Sequence, residues 1–310
     1  MNTAIHLFGT TFQNPVLLAA GTCGFGQELA DVIDLEALGG LVTKSVTVEP
    51  RTGNPAPRVA EFSGGMMNSI GLANPGLEGT RRDKLPWLRD HLRRARVWVS
   101  VAGHSPEEFF QLVEGLDGED GFLGFELNLS CPNDTRRDAP PFALDPPSVR
   151  SILSGARART DRPLLAKLAP NDPDPAATAR TAEEAGADGL TLANTLPGLL
   201  LDEEGRPRLG AGAGGVSGPA LLPGGVRMVE QVRHAVGLPL VGLGGISGVA
   251  DALAYARAGA TLVGVGTASF ADPRAGEKLA VGLHRWGRRK GVTAWSDLVG
   301  PSAGPVQKEA

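Results

Sequence analysis

The sequence has few of the residues that mark disulfide-rich, metal-binding or nucleic-acid-binding proteins. Its 310 residues include only two cysteines, Cys23 and Cys131, and its formal net charge is −4. Two cysteines cannot build a disulfide framework, and neither has the spacing to histidine or cysteine that a metal site requires. Because the chain also lacks a basic field for a nucleic acid backbone, we expect no metal and no nucleic acid partner.

Long apolar runs are absent as well. No segment approaches the roughly 20 apolar residues that a membrane-spanning helix needs. Residues 1–15 lack a cationic stretch followed by an apolar one, so we predict no signal peptide. The hydrophobic fraction of 42% is nevertheless ample for a large core. The sequence therefore predicts a soluble cytoplasmic protein.

Short, continuously apolar segments recur along the chain. Such segments are typical of parallel strands whose two faces are both covered, because the alternation of apolar and polar residues is then lost. The eight predicted strands are residues 15–19, 39–45, 97–103, 124–130, 163–170, 189–195, 239–245 and 261–267.

Segments with helical spacing lie between many of these strands. Several begin near a proline and end at a glycine, as helices commonly do. The predicted helices are residues 106–116, 147–158, 175–186, 224–237 and 249–260. Eight strands joined by right-handed crossovers predict an α/β fold, a closed (β/α)₈ TIM barrel that forms a single domain over residues 1–310. A doubly wound open sheet is the alternative.

Two segments are too long for a minimal barrel. Residues 46–78 and 196–223 are rich in turn residues and follow predicted strands 2 and 6. Long loops in compact domains are usually functional. We therefore predict insertions at the C-terminal face of the strands, where active sites of this fold lie.

Polar residues and glycines collect at the predicted strand ends. Lysines inside apolar strands are costly to bury without a partner, so we expect them to face an anionic ligand. Glycines after strands 7 and 8 leave backbone N–H groups available for a phosphate. An FMN-sized cofactor fits this arrangement. The strand-end residues are Lys44, Asn128, Cys131, Lys167, Asn194, Thr195, Gly244, Gly245, Gly266 and Thr267.

One further glycine motif does not indicate a ligand site. Residues 210–215, GAGAGG, satisfy the pattern G-x-G-x-x-G of dinucleotide-binding loops. That fingerprint must follow a strand and open a helix. Here it follows a charged turn, so we do not interpret it as a nicotinamide site.

Seven short motifs together resemble one family. They are NSIGLANPG (68–76), NLSCPN (128–133), LAKLAPN (165–171), LTLANT (190–195), GGVSGPA (214–220), GLGGIS (242–247) and VGVGTA (263–268). With them the chain, from about residue 4 to 300, is similar to the class 1 dihydroorotate dehydrogenases. The wording of residues 68–76 is closer to the NAD-linked class 1B than to the fumarate-linked class 1A.

The resemblance implies a reaction and its residues. The activity would be oxidation of (S)-dihydroorotate to orotate with one non-covalent FMN, in pyrimidine (UMP) biosynthesis. Cys131 would be the catalytic base, and a thiol with an ordinary pKa of about 8.5 suits that role near neutral pH. The implied substrate-binding residues are Lys44, Asn68, Ser69, Ile70, Gly71, Leu72, Asn128, Asn133, Asn194 and Thr195. The implied cofactor-binding residues are Ala20, Gly21, Lys44, Ser45, Ser100, Asn128, Lys167, Ala193, Gly218, Gly244, Gly245, Gly266 and Thr267.

The resemblance also implies partners. A class 1B chain would form a homodimer, and a heterotetramer with a subunit that carries FAD and a [2Fe–2S] cluster. The chain itself lacks the cysteines for such a cluster, which usually needs four.

Three features depart from the family pattern. Ser100 stands where an asparagine near the flavin is common, so a contact there would be weaker or water-mediated. Ala20 and Ala193 replace positions that are often Ser and Ile. Residues 134–145 are unusually charged and rich in proline for the loop that bears the base.

Four other functions remain open at this point. One is a flavin enzyme for another dihydropyrimidine, such as dihydrouracil, and a second is a fumarate-linked class 1A enzyme. A third is a phosphate-binding barrel without redox chemistry, such as an aldolase or isomerase. The fourth is a flavin-binding subunit without catalysis, which the presence of base and substrate residues disfavours.

Overall fold

The computed structural model describes residues 1–130 and 141–301. Cys131 and Asn133 lie outside the described residues. The strands are β1 (Ile5–Leu7), β2 (Thr10–Phe12), β3 (Val16–Leu18), β4 (Gly40–Val42), β5 (Val59–Phe62), β6 (Gly65–Asn68), β7 (Arg96–Val101), β8 (Gly124–Asn128), β9 (Leu164–Lys167), β10 (Gly189–Leu192), β11 (Leu196–Gly198), β12 (Gly214–Ser217), β13 (Leu240–Leu243) and β14 (Leu262–Val265). The α-helices are α1 (Gly76–Gly79), α2 (Leu85–His91), α3 (Pro106–Asp117), α4 (Pro146–Arg157), α5 (Pro175–Glu184), α6 (Leu222–Arg233), α7 (Val249–Ala258), α8 (Ala268–Ala271) and α9 (Ala275–Lys290).

Eight of these strands close into a parallel barrel. Their order around it is β3, β4, β7, β8, β9, β10, β13 and β14, with β14 pairing back onto β3. All eight correspond to predicted strands. The (β/α)₈ TIM barrel is therefore confirmed, and the open-sheet alternative is wrong.

The helices between the strands begin at local signals in the sequence. Ser105, Asp145 and Asp174 each precede a proline and accept a hydrogen bond from a backbone N–H three residues later. A side-chain oxygen at this position satisfies one of the otherwise unbonded N–H groups of the first turn, and proline there sacrifices no hydrogen bond. These caps fix where α3, α4 and α5 start on the outside of the barrel.

The two insertions form one antiparallel sheet rather than separate loops. Its order is β11, β12, β6, β5, so a strand from residues 196–223 pairs with one from residues 46–78. Gly215 is paired with Asn68 across β12 and β6. A side chain at Gly215 would overlap Thr195, so this close approach requires glycine.

A hairpin packs against the opposite end of the barrel. β1 and β2 pair antiparallel, and Phe12 packs in a buried cluster with barrel residues such as Leu17 and Trp98. The Phe8 ring meets the Trp98 ring edge-to-face, with 5.1 Å between centroids. The hairpin thus covers the amino ends of the barrel strands. In the described ranges, no helix is long and apolar enough to cross a bilayer.

Candidate active site

A cavity of about 1210 Å³ lies at the carboxyl ends of the barrel strands. Its walls come from the segments that follow β3, β4, β8, β9, β10, β13 and β14, and from the insertion sheet. Small-molecule sites usually occupy about 300–1,000 Å³. The cavity can therefore hold a cofactor and a substrate together.

Two asparagines form the centre of a hydrogen-bonded side-chain network in this cavity. Asn194 Nδ2 donates to Asn128 Oδ1 at 3.1 Å and to Ser130 Oγ at 3.0 Å. The Thr195 backbone N–H donates to Asn194 Oδ1 at 2.8 Å. Each amide is thus held in one orientation before a ligand arrives. Asn128, Asn194 and Thr195 all line the cavity, as expected for substrate-binding residues.

Only part of the segment 68–72 reaches the cavity. Asn68, Ile70 and Leu72 line it, whereas Ser69 and Gly71 do not. Ser69 is buried on the other side of the chain, where its Oγ accepts from Asn54 Nδ2 at 2.9 Å. Ser69 and Gly71 are therefore not part of the cavity wall that the structure defines.

Lys44 brings positive charge to the same wall. It follows β4, lines the cavity and is half-buried. Its backbone N–H donates to Gly24 O at 2.7 Å, which fixes the segment after the strand.

Ser45 and Ser100 form a hydroxyl pair beneath the cavity wall. Ser45 lines the cavity, and its Oγ lies 2.9 Å from Ser100 Oγ. Asn128 Nδ2 donates to Ser45 Oγ at 3.2 Å. Ser100, on β7, is fully buried and does not line the cavity. The Ser45 hydroxyl therefore lies between Ser100 and any ligand in the cavity.

Lys167 lies at the end of β9 beside a buried acid. Its Nζ is 3.6 Å from Glu126 Oε1, and Thr191 Oγ1 donates to Glu126 Oε2 at 2.9 Å. Both charged residues are almost fully buried, but Lys167 lines the cavity and Glu126 does not. We expected the negative charge that faces Lys167 to come from a ligand, but Glu126 supplies part of it. Among the described residues, Nζ finds no acceptor within hydrogen-bond distance.

Two glycine-bearing loops, which follow β13 and β14, also line the cavity. Gly244, Gly245, Gly266 and Thr267 all line the cavity. Among the described residues, the backbone N–H groups of Gly245, Gly266 and Thr267 find no acceptor. Tyr255, in α7, donates to Gly244 O at 2.9 Å and so holds the loop that follows β13. Burial, with a contribution from nearby Asp251, raises the pKa of this phenol, which therefore remains a donor.

The remaining expected cofactor residues complete the wall between these groups. Ala20, Gly21, Ala193 and Gly218 line the cavity. The site thus combines strand-end amides, a buried lysine and unbonded backbone N–H groups in one cavity.

The structure describes one of the two cysteines. Cys131 and Asn133 follow Ser130 outside the described residues, but Ser130 is held at the site because its backbone O accepts from Asn194 Nδ2 at 3.1 Å. Cys23 is buried, and its Sγ donates to Val42 O at 3.3 Å. Burial, with a smaller contribution from Glu28, raises the pKa of Cys23 to about 12, so it is an inert thiol.

Sequence reasoning missed several residues of the site. Glu126 and Tyr255 support it from behind, and Arg51, Glu28 and Lys84 line the cavity. A signal existed for Glu126, because an acid within the apolar strand 124–128 needs a partner. Tyr255 is the single tyrosine of the sequence, but nothing in its helix pattern indicates which carbonyl it reaches. In residues 1–130 and 141–301, no group of three or more acidic, His or Cys side chains could hold a metal ion.

Comparisons with known proteins agree with this arrangement. A family model described as dihydroorotate dehydrogenase matches residues 2–286. The protein named dihydroorotate dehydrogenase B (NAD(+)), catalytic subunit, of Pelobacter propionicus is 44% identical over 301 residues, which cover 96% of this chain and 97% of that protein. The protein of the same name from Desulforudis audaxviator is 44% identical over 301 residues, 97% of each chain.

A further relative carries a different name. A protein of Solibacter usitatus, provisionally named dihydroorotate dehydrogenase A (fumarate), is 43% identical over 298 residues, which cover 96% of this chain and 97% of that one. Among solved structures, DHODH from Eimeria tenella in complex with ferulenol matches with a TM-score of 0.81 and 22% identity, covering 96% of this chain and 88% of that one. At that identity the structural match supports the fold alone.

Proposed function

The chain belongs to the dihydroorotate dehydrogenase family, and from this premise we propose that it oxidises (S)-dihydroorotate to orotate with one non-covalent FMN, as a step in pyrimidine biosynthesis. The family resemblance inferred from the sequence motifs is confirmed by the matches. The observation that carries the proposal is the presence in one cavity of strand-end amides, a buried lysine and unbonded backbone N–H groups.

The buried lysine and the unbonded backbone N–H groups of the cavity fit FMN. Lys167 Nζ is almost fully buried, yet among the described residues it has an ion-pair partner only at 3.6 Å and no hydrogen-bond acceptor. Buried donors normally find an acceptor. The N–H groups of Gly245, Gly266 and Thr267 also await acceptors. A phosphate suits the backbone donors, and the electron-rich edge of a flavin ring suits the lysine. Bound FMN supplies the acceptor for the hydride that leaves C6 of dihydroorotate.

The substrate is held by groups that can recognise both its ring and its carboxylate. Each asparagine amide offers donors and an acceptor. Asn128 donates one Nδ2 hydrogen to Ser45 and accepts from Asn194 with one Oδ1 lone pair. One donor and one acceptor site are left for a ligand. Asn68 similarly keeps capacity beyond its donation to Gly215 O. Lys44 supplies positive charge that suits a carboxylate. Asn133 is assigned to the same set from the sequence motif alone.

Cys131 is proposed as the base that removes the proton from C5. The residue before it, Ser130, is anchored by Asn194, and this anchoring supports a location beside the substrate amides. Cys131→Ala should retain FMN and bind orotate but lose dihydroorotate-dependent flavin reduction by a factor of roughly 10² to 10⁴, the usual contribution of a positioned base.

Two further variants sharpen this test. Cys131→Ser should also be slow near neutral pH and recover as the pH rises, because a hydroxyl is a much weaker acid. Cys23→Ala is the matched control and should change turnover little. Near-normal flavin reduction in Cys131→Ala would reject the assignment.

Electrons leave the chain through a partner in this proposal. The relatives from Pelobacter and Desulforudis are named as catalytic subunits of an NAD(+) enzyme, and their names support a second subunit here. With two cysteines the chain has too few ligands for an iron–sulfur cluster. We therefore assign FAD and a [2Fe–2S] cluster to the partner, and assign to the catalytic chain a homodimer within a two-plus-two assembly.

Substrate specificity is tested by comparing two dihydropyrimidines. The proposal expects turnover of dihydroorotate with an artificial dye and little turnover of dihydrouracil, which lacks the carboxylate. Lys44→Met should raise the KM for dihydroorotate more than that for dihydrouracil. Preference for dihydrouracil in the wild type would favour the enzyme of another dihydropyrimidine instead.

A further inference from the structure

We propose that Glu126 is a positioning residue that holds the Lys167 ammonium at the cofactor and offsets its charge, and that it thereby sets the reduction potential of bound FMN. The inference rests on the proposed function, because it assigns FMN to the cavity beside Lys167.

The strand register explains how the three residues meet. Lys167, on β9, pairs with Asn128 of β8 on one side and with Thr191 of β10 on the other. Glu126 precedes Asn128 by two residues, so both side chains point to the same face of β8. Glu126 thus lies one layer deeper in the barrel than the cavity wall, behind the lysine. It therefore does not contact a ligand, and it acts on one by holding Lys167 and through the field of its own charge.

Burial makes the pair interdependent. Glu126 and Lys167 expose only 1% and 4% of their surface. A buried charge without a partner is costly. Glu126 Oε2 accepts from Thr191, whereas Oε1 has no hydrogen-bond donor among the described residues and faces Nζ at 3.6 Å. One oxygen of the carboxylate is thus held by Thr191, and the other faces the Lys167 ammonium.

The charge arrangement has a consequence for a flavin. Reduction of FMN adds negative charge, which the Lys167 ammonium stabilises because it lies on the cavity wall. The Glu126 carboxylate, farther away, opposes part of that stabilisation, since Coulomb interactions weaken with distance but persist in a buried site. Removing the carboxylate should favour reduced FMN, and removing the ammonium should favour oxidised FMN.

The experiment measures the reduction potential of FMN bound to purified holoprotein, by anaerobic equilibration with a reference dye and without dihydroorotate. Glu126→Gln should bind reduced FMN about tenfold more tightly relative to oxidised FMN than the wild type does, a shift of about +30 mV for a two-electron couple. Lys167→Met should shift the potential in the opposite direction. Thr191→Val is the matched control, because it removes a hydrogen bond to the carboxylate but keeps both charges, and its shift should be smaller than that of Glu126→Gln.

Every outcome decides the matter. A potential in Glu126→Gln equal to or below that of the wild type would overturn the proposal. An ion pair that only stabilised the fold would change the stability of the protein without raising the reduction potential of the flavin. If Glu126→Gln does not fold, the double variant Glu126→Gln/Lys167→Met must have a higher potential than Lys167→Met, and the opposite order would overturn it. Failure of wild-type protein to bind FMN would instead contradict the proposed function.

Discussion

At the scale of single residues, the direction of the Ser45–Ser100 hydrogen bond decides what Ser45 can offer a ligand. Ser100 is fully buried, and among the described residues Ser45 Oγ is the one hydrogen-bond partner of its hydroxyl. If Ser100 donates to Ser45, then Ser45 Oγ accepts from both Ser100 and Asn128. The Ser45 hydrogen is then left to donate into the cavity. In the proposed function, Ser100 therefore acts on the flavin indirectly, through Ser45.

This direction predicts the effects of two alanine variants on FMN binding. Ser45→Ala and Ser100→Ala should each weaken FMN binding by about threefold to tenfold, the usual value of one hydrogen bond. The double variant should bind FMN about as weakly as Ser45→Ala alone, because Ser100 acts through Ser45. Fluorescence titration of apoprotein with FMN measures the constants. Ser154→Ala, an exposed change on α4, is the control. Additive losses in the double variant would argue for independent roles.

Cys23 predicts a dependence of stability on pH. Burial, then Glu28, raises its pKa from an ordinary 9.0 to about 12. The unfolded thiol therefore loses its proton at lower pH than the folded one, so its contribution to stability is complete below about pH 9 and falls as the pH rises towards 12.

The comparison of wild type with Cys23→Ala isolates this effect. In urea unfolding between about pH 8 and pH 10.5, the wild type should lose on the order of 1 kcal/mol per pH unit more than the variant, because the variant has no thiol to ionise. Parallel curves for the two proteins would show that the buried thiol does not control this range.

At the scale of elements, helix α7 supports the loop that follows β13. Tyr255 bonds Gly244 O, and side chains at Gly225 or Gly242 would overlap the tyrosine. The close packing of α6 and β13 around one ring therefore fixes the backbone donors of the proposed phosphate site.

Removal of this hydroxyl should loosen the loop. Tyr255→Phe leaves the half-buried Gly244 carbonyl without its donor, which costs about 1 kcal/mol of folding free energy, and it should weaken FMN binding several-fold. The control Thr181→Val also removes a hydroxyl-to-carbonyl bond, but in α5 and away from the cavity. Flavin release on dilution and thermal unfolding compare the two. Equal flavin affinity in both variants would contradict the role of Tyr255.

Elements also show how far sequence reasoning reaches. The barrel strands were predictable because each is a continuous apolar run, and helices α3 to α5 because proline and a capping residue mark their starts. Strand β4 ends at Val42, earlier than predicted, and Lys44 and Ser45 beyond it line the cavity. The insertion sheet was missed because its strands are short and because its central pair, β6 with β12, joins segments about 150 residues apart.

The site was predictable to a similar degree. Nearly every expected strand-end residue lines the cavity, since the carboxyl ends of barrel strands meet at one face. Ser69 and Gly71 could not be separated from Ile70 by sequence, because the turn that faces them away depends on contacts with Asn54. The Glu126–Lys167 pair depends on register between strands, which a single sequence does not specify.

At the scale of the whole molecule, the barrel is blocked at one end and open to ligands at the other. The hairpin β1–β2 covers the amino ends of the strands, and the insertion sheet flanks the cavity at the carboxyl ends. With two cysteines the chain has too few for an iron–sulfur cluster, so in the proposed function electrons leave through a flavin at the cavity face.

This arrangement predicts how the isolated chain behaves with different acceptors. Purified protein should reduce an artificial dye with dihydroorotate, but should reduce NAD only after the partner subunit is added. Steady-state assays with NAD, fumarate and dye measure this. Efficient fumarate reduction by the chain alone would assign it to class 1A, as the name of the Solibacter relative suggests for that protein. Efficient NAD reduction without a partner would contradict the two-subunit proposal.

The most direct test is a single anaerobic half-reaction. The FMN-loaded chain is mixed with dihydroorotate in the absence of any acceptor, and the visible absorbance of oxidised flavin is followed while orotate is quantified. We predict that the absorbance is lost with one orotate formed per FMN, and that dihydrouracil leaves it unchanged. Stoichiometrically bound FMN that dihydroorotate fails to reduce would contradict the proposed function.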